Sequence, residues 1–205
     1  MRILTTAQYE VVDDIISKYP HLKQYHGWLN TPVNGYSFSR LASYNMPIAC
    51  DNSAFCHFSE KLYLSMLSKI SVPVLWVTLP DEVADPHETN RLWQKWRERV
   101  TLPRAYVGQD GCEDLELPWD DFVCFFIGGT TDWKLSTSAA DVAMEAKHRG
   151  KLVHMGRVNS DKRLTYAYRL GCDSVDGTGY SKFSKSELLK GLLLIDHLER
   201  QLTLF

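Results

Sequence analysis

The chain reads as a parallel (β/α) barrel in one domain, and three observations carry that reading. Short apolar runs of strand length alternate with longer runs of helical periodicity along the whole sequence. Polar residues close many of those apolar runs, as they do at the rim of a barrel, where the strand ends share one pocket. Neither GxGxxG nor GxxxxGK[ST] follows the first strand, so the phosphate loop of a doubly wound nucleotide site is missing. With 205 residues against the usual length of about 250, a compact, abbreviated barrel of about six or seven strands is expected, as a single domain over 1–205.

The elements follow in order. Arg2-Ile3-Leu4-Thr5 is the first strand, and residues 8–19 place Val11, Val12, Ile15 and Ile16 at helical spacing before Pro20 stops the helix. Residues 21–45 are irregular and aromatic, with Tyr25, His26, Trp28, Tyr36, Phe38 and Tyr44 around a turn at Pro32, Asn34 and Gly35. Such a segment folds over a pocket, its rings serving as core or as a stacking platform for a planar substrate. The strand at 47–50 delivers Asp51, and a helix near 59–69 turns Leu62, Leu64, Met66 and Leu67 inward. The buried strand at 72–78, with Pro73 at its entrance, leads to Asp81, Glu82 and Asp85. An amphipathic helix near 87–99 is anchored by Leu92, Trp93 and Trp96. Strands at 104–108 and 121–127 end in Gln109-Asp110-Gly111 and Gly128-Gly129-Thr130-Thr131. An Ala-rich helix at 136–148 stops at Gly150. The strand at 151–155, a helix near 161–169, the strand around 173–175 and a Leu-rich helix at 184–199 complete the series.

Composition narrows the function. A formal charge of −2 lacks the basic signature of a non-specific nucleic-acid binder, although a local patch is compatible with it. No apolar run approaches about 18 residues and no signal-like segment opens the chain, so a soluble, cytoplasmic protein with no membrane partner is expected. Five cysteines, Cys50, Cys56, Cys112, Cys124 and Cys172, form no CxxC pair and suggest neither a disulfide framework nor a thiolate metal site. No cofactor and no metal are expected.

The stretch Cys172-Asp173-Ser174-Val175-Asp176-Gly177-Thr178-Gly179 carries the strongest chemical signal. A carboxylate at a strand mouth, followed by glycines that let a substrate approach the backbone, is placed to act; the alternative is an aspartate that caps a turn. Asp51 and Asp81 repeat the pattern. The strand ends Asp51-Asn52-Ser53-Ala54-Phe55, Pro80-Asp81-Glu82-Val83-Ala84-Asp85, Gly108-Gln109-Asp110-Gly111, Phe126 to Lys134, Val153-His154-Met155-Gly156-Arg157-Val158-Asn159-Ser160 and Asp173 to Thr178 together resemble the tRNA-guanine transglycosylase superfamily, and most of all its phage and bacterial members that place 7-deazaguanine bases in DNA.

That resemblance implies a TIM-like barrel that exchanges a base through a covalent aspartyl-sugar intermediate. Asp176 then matches the nucleophile and Asp51 the acid/base group, while Asp81, Gln109, Gly128 and Gly129 match the set that reads the base. The implied partners are a free 7-deazaguanine base and a nucleic acid inside a bacterial or phage-infected cell. DNA is favoured over tRNA because the chain shows no three-cysteine, one-histidine zinc site and continues after Asp176 as Gly177-Thr178-Gly179, where the tRNA enzymes have Pro-Thr-Arg. Arg157, Asn159, Lys134, Lys182 and Lys185 are candidates for phosphate contacts around a flipped nucleotide. A homodimer or a partner subunit would supply any missing barrel wall. An N-glycosidic hydrolase, a tRNA-guanine transglycosylase and a non-catalytic base-binding subunit are the alternative functions.

Overall fold

The computed structural model describes residues 1–183 and 185–202, the side chains of Lys182, Phe183 and Leu202 excepted. Eight parallel strands form a closed barrel: β1 (Arg2–Thr5), β2 (His26–Asn30), β3 (Ile48–Cys50), β4 (Val77–Thr78), β5 (Arg104–Gly108), β6 (Cys124–Ile127), β7 (Leu152–Met155) and β8 (Ser174–Val175). Each pairs with its neighbour in sequence, and β1 closes on β8 with Arg2 opposite Ser174 and Ile3 opposite Val175. The expected abbreviation is therefore not found. The chain economises on strand length, with two residues each in β4 and β8, and the ring closes without a wall from a second subunit.

The helices are α1 (Tyr9–Lys18), α2 (Phe38–Ser43), α3 (Glu60–Leu67), α4 (Pro86–Trp96), α5 (Thr131–Lys134), α6 (Thr137–His148), α7 (Asp161–Arg169) and α8 (Lys185–Leu202). Local chemistry sets their starts. Ser37, Ser59, Asp85, Thr130, Ser136 and Ser160 each accept a backbone N–H of the first turn, and Pro86 takes the first position of α4, where its missing N–H costs nothing. The side chains form two apolar layers. Residues on alternate strand positions, among them Leu4, Leu29, Ala49, Trp76, Val107 and Phe126, fill the barrel, while Ile3, Trp28, Ile48, Val77, Tyr106, Phe125 and Val153 face the helices. Among the described residues no helix is long and apolar enough to cross a membrane.

Three expectations change. The aromatic segment 21–45 contains β2, and its rings belong to the outer layer: Trp28 meets Tyr9, Tyr44 and Tyr36 at centroid distances of 5.5, 5.1 and 6.1 Å. Trp28 and Phe38 are buried in the outer core, and Tyr25, Tyr36 and Tyr44 pack against it. In α3 the buried residues are Tyr63 and Met66, while Leu62 and Leu64 are 47% and 38% exposed. An apolar run on every side of the helix concealed which stripe faces inward. The strand expected over 72–78 pairs only at Val77 and Thr78.

Candidate active site

Strand alternation aims the polar residues. Because side chains two apart share a face, the inward rows that include Ala49, Val107 and Ser174 continue past the strand ends to Asp51, Gln109 and Asp176. These three, with Asp81, Asn52, Phe55, Phe126, Gly128, Gly129 and Arg157, line a cavity of about 440 Å³ at the C-terminal mouth, a volume suited to a nucleobase and part of its sugar. Val33, Asn34 and Thr31 from the loop after β2 complete one side.

The two outer carboxylates have different surroundings. Asp51 accepts Thr78 Oγ1 on Oδ1 at 3.1 Å and Ser53 N–H on Oδ2 at 3.3 Å. Desolvation, and then the charge of Asp176, push its pKa above the usual carboxylate range against those bonds. Asp176 receives both of its donors on Oδ1, Arg157 N–H at 3.2 Å and His154 Nε2 at 3.1 Å. His154 is enclosed in the barrel between Trp76 and Phe126, and its Nδ1 lies 2.8 Å from Ser174 Oγ. A carboxylate only accepts, so the ring donates from Nε2 to Asp176, with Ser174 Oγ as the partner of Nδ1. Oδ2 of Asp176 has no protein donor among the described residues.

Asp81 sits in a bracket of two amides. Asn52 Nδ2 donates to its Oδ1 at 2.8 Å and Gln109 Nε2 to its Oδ2 at 2.7 Å. Desolvation outweighs the Asn52 bond and raises its pKa to about 7. Gln109 Oε1 in turn accepts Ala84 N–H at 3.0 Å and Gly129 N–H at 2.9 Å, which fixes the amide orientation. The loops that carry this network are strained: Ser53, Ala84 and Arg157 have φ of +66°, +61° and +59°, a region that non-glycine residues seldom occupy. Arg157 spans the mouth, its guanidinium bonded to the carbonyls of Gly128 and Gly129 and stacked 4.2 Å from the Phe55 ring, which is 61% exposed.

The structure thus brings Asp176, Asp51, Asp81, Gln109, Gly128, Gly129 and Arg157 into one pocket. Asp85, not Asp81, caps α4, and Asp173 ties Val153 N–H and Lys147, while Asp176 itself accepts the Arg157 N–H of the turn after β7. Asp51 does brace its own turn through Ser53 N–H. The Gly128 and Gly129 amides are already bonded to Gly108 O and Gln109 Oε1, so neither offers a free donor.

The phosphate set is largely dispersed. Lys134 is buried, with Nζ 2.6 Å from Gly156 O, and desolvation lowers its pKa to about 7. It faces no phosphate in solvent. Lys185 pairs with Asp14 of α1, Asn159 Oδ1 accepts Gly179 N–H at 3.2 Å, and the Lys182 side chain lies outside the described residues. Sequence inspection assigns no role to Asn52 or Thr78, although Thr78 stands where the inward row of Trp76 meets the mouth. Strand alternation within Leu152-Val153-His154-Met155 is the signal that places His154 inside the barrel. Among the described residues no group of three or more His, Cys, Asp or Glu side chains is arranged to hold a metal ion.

No family model matches the chain, and no curated protein matches it. Among solved structures the fold is similar to that of Haloferax volcanii malate synthase in a lead(II) complex. The TM-score is 0.54 at 11% identity, over 93% of this chain and 72% of that one. At that identity the likeness is one of fold alone.

Proposed function

We propose that the barrel exchanges a purine base at a glycosidic carbon, replacing guanine in a nucleic acid with a 7-deazaguanine derivative. The observation that carries this reading is the meeting in one pocket of Asp51 from the end of β3 and Asp176 from the end of β8, in unlike surroundings. Asp176, held on Oδ1, has Oδ2 free to attack C1′ as the bond from C1′ to N9 breaks. Asp51, whose raised pKa favours the protonated form, gives its proton to the departing purine, and the sugar remains as an ester on Asp176. The incoming base returns its N9 proton to Asp51, and N9 attacks C1′ as the ester bond breaks. Each carboxylate ends in its starting state.

Base recognition falls to the amide bracket. Each Asp81 oxygen accepts one amide and retains a lone pair, so the pair suits a purine edge with N1–H and an exocyclic amine. With the glycine amides engaged, the second hydrogen on Gln109 Nε2 is the donor for O6. Phe55 and Phe126 supply the apolar lining for a planar ring. DNA is the proposed polymer, on the resemblance of the strand ends to the DNA-modifying members of the transglycosylase superfamily. Arg157 and the exposed ring of Phe55 form a rim that suits a flipped nucleotide.

The test is incubation of the protein with isotopically labelled 7-deazaguanine base and, separately, duplex DNA, single-stranded DNA and tRNA, followed by digestion and mass spectrometry of the nucleosides. Label in DNA, absent with Asp176→Asn, is the expected result. Label only in tRNA overturns the polymer and keeps the chemistry. Free guanine without uptake of label selects a hydrolase, and full exchange by Asp176→Asn removes the nucleophile assignment.

A further inference from the structure

Lys134 ends the four-residue helix α5 and is only 1% exposed. A buried ammonium is costly unless it is hydrogen-bonded, and its partner is the carbonyl of Gly156, 2.6 Å from Nζ. That carbonyl and the Arg157 N–H belong to one planar peptide unit. The same Arg157 N–H donates to Asp176 Oδ1 at 3.2 Å. An ammonium, a peptide and a carboxylate therefore stand in line, and a cation at the oxygen end of a peptide makes its N–H end a stronger donor.

We propose that Lys134 is a positioning residue for Asp176, its ammonium fixing and polarising the Gly156–Arg157 peptide so that the N–H holds the nucleophile in place. The proposal rests on the reading of Asp176 as nucleophile. The peptide is one that needs an anchor: Arg157 has a φ of +59°, and a Cβ at Gly156 would stand 2.7 Å from the Phe126 ring and 3.3 Å from Asp176 Oδ1. The Arg157 side chain is turned the other way, toward the carbonyls of Gly128 and Gly129, so the backbone at this position is left to serve Asp176. Four charged groups face Lys134. Arg157 and Arg163 oppose its ionisation, and Asp176 and Asp110 favour it. Its charge thus responds to the state of the site that it supports.

Lys134→Met keeps the stem and removes the ammonium. The expected result is a fall in kcat for base exchange of about tenfold or more, with the KM for free base changed by less than about threefold, because a group that acts through Asp176 affects the chemical step more than base binding. In Lys134→Ala, added ethylammonium should restore part of the rate. A kcat within about twofold of wild type, with Asp176→Asn inactive, overturns the positioning role and leaves the nucleophile standing. Equal losses in kcat and in base affinity, unrelieved by ethylammonium, mark a structural lysine and also overturn it. Full activity of Asp176→Asn removes the underlying reading as well. Should the variants not fold, wild-type protein serves: the Arg157 amide proton is expected to shift with the ionisation of Lys134, followed through its own labelled Cε. An amide that stays still while Cε titrates overturns the proposal.

Discussion

If Asp81 reads the purine edge as a carboxylate, base binding must follow its ionisation. Its two oxygens already accept Asn52 and Gln109, and desolvation holds its pKa at about 7 in the free protein. A group with that pKa is about one-tenth ionised at pH 6 and about nine-tenths at pH 8, so affinity for guanine should rise about tenfold across the interval. The sign follows from the two donors of the base, which favour the charged form, lower the Asp81 pKa in the complex and release a proton on binding near pH 6.5. Calorimetry at pH 6, 7 and 8, in two buffers of different ionisation enthalpy, measures both quantities. Asp81→Asn should weaken binding by about 1 to 3 kcal/mol, the cost of an unpaired buried donor, and should flatten the profile. Asp51 also has a raised pKa and shares the pocket, and the variant separates the two. A pH-independent affinity in wild type, or an unchanged slope in Asp81→Asn, would refute the assignment.

Two further outcomes concern the scaffold. His26 is 1% exposed with neither ring nitrogen bonded, and burial lowers its pKa to about 3. The unfolded chain therefore takes up the proton first: the stability present above pH 6.5 falls by about 1.4 kcal/mol for each unit toward pH 3, or about 2 kcal/mol by pH 5. Urea midpoints should show that loss in wild type relative to His26→Leu, and parallel profiles for the two proteins would sink it. Gly177→Ala would place a Cβ 2.2 Å from Val158 O and 2.8 Å from Asn159 Oδ1, so the loop after β7 must shift, at about 1–3 kcal/mol of stability. Because Val158 N–H also holds Asp176 O at 2.7 Å, exchange should fall further than the folded fraction does, and equal losses would place Gly177 outside the site.

What the sequence discloses depends on whether one segment contains the whole physical reason. β6 and β7 are readable because Cys124-Phe125-Phe126-Ile127 and, apart from His154, Leu152-Val153-His154-Met155 are apolar and bounded by turn residues. β2 is not, since His26-Gly27-Trp28-Leu29-Asn30 has polar ends and a glycine at its second position. That glycine is explained by its neighbours on both sides, since a Cβ at Gly27 would lie 2.5 Å from Leu4 Cδ2 of β1 and 3.0 Å from the Pro47 carbonyl ahead of β3. β4 pairs over two residues, too few to print a period. The site follows the same rule. Asp51 and Asp176 each end an apolar run of their own and could be singled out, whereas the occupied state of the Gly129 amide depends on Gln109 from another unit. The burial of Lys134 likewise depends on a carbonyl 22 residues away.

The mouth also shows how so short a barrel keeps its site rigid. Strained φ values at Ser53, Ala84 and Arg157 cost about 1–3 kcal/mol each, and each lies beside a bond that crosses between units. Ser53 N–H binds Asp51 in a turn that Thr78 braces from β4, Ala84 N–H binds Gln109 beyond β5, and Arg157 N–H binds Asp176 beyond β8. Relaxing any one of these residues would release a hydrogen bond to a carboxylate or an amide of the pocket. The strain is thus held in place by the groups it orients. That coupling requires neighbouring units in a closed ring, and the pairing of β1 with β8 supplies the closure that brings Asp176 back to Asp51.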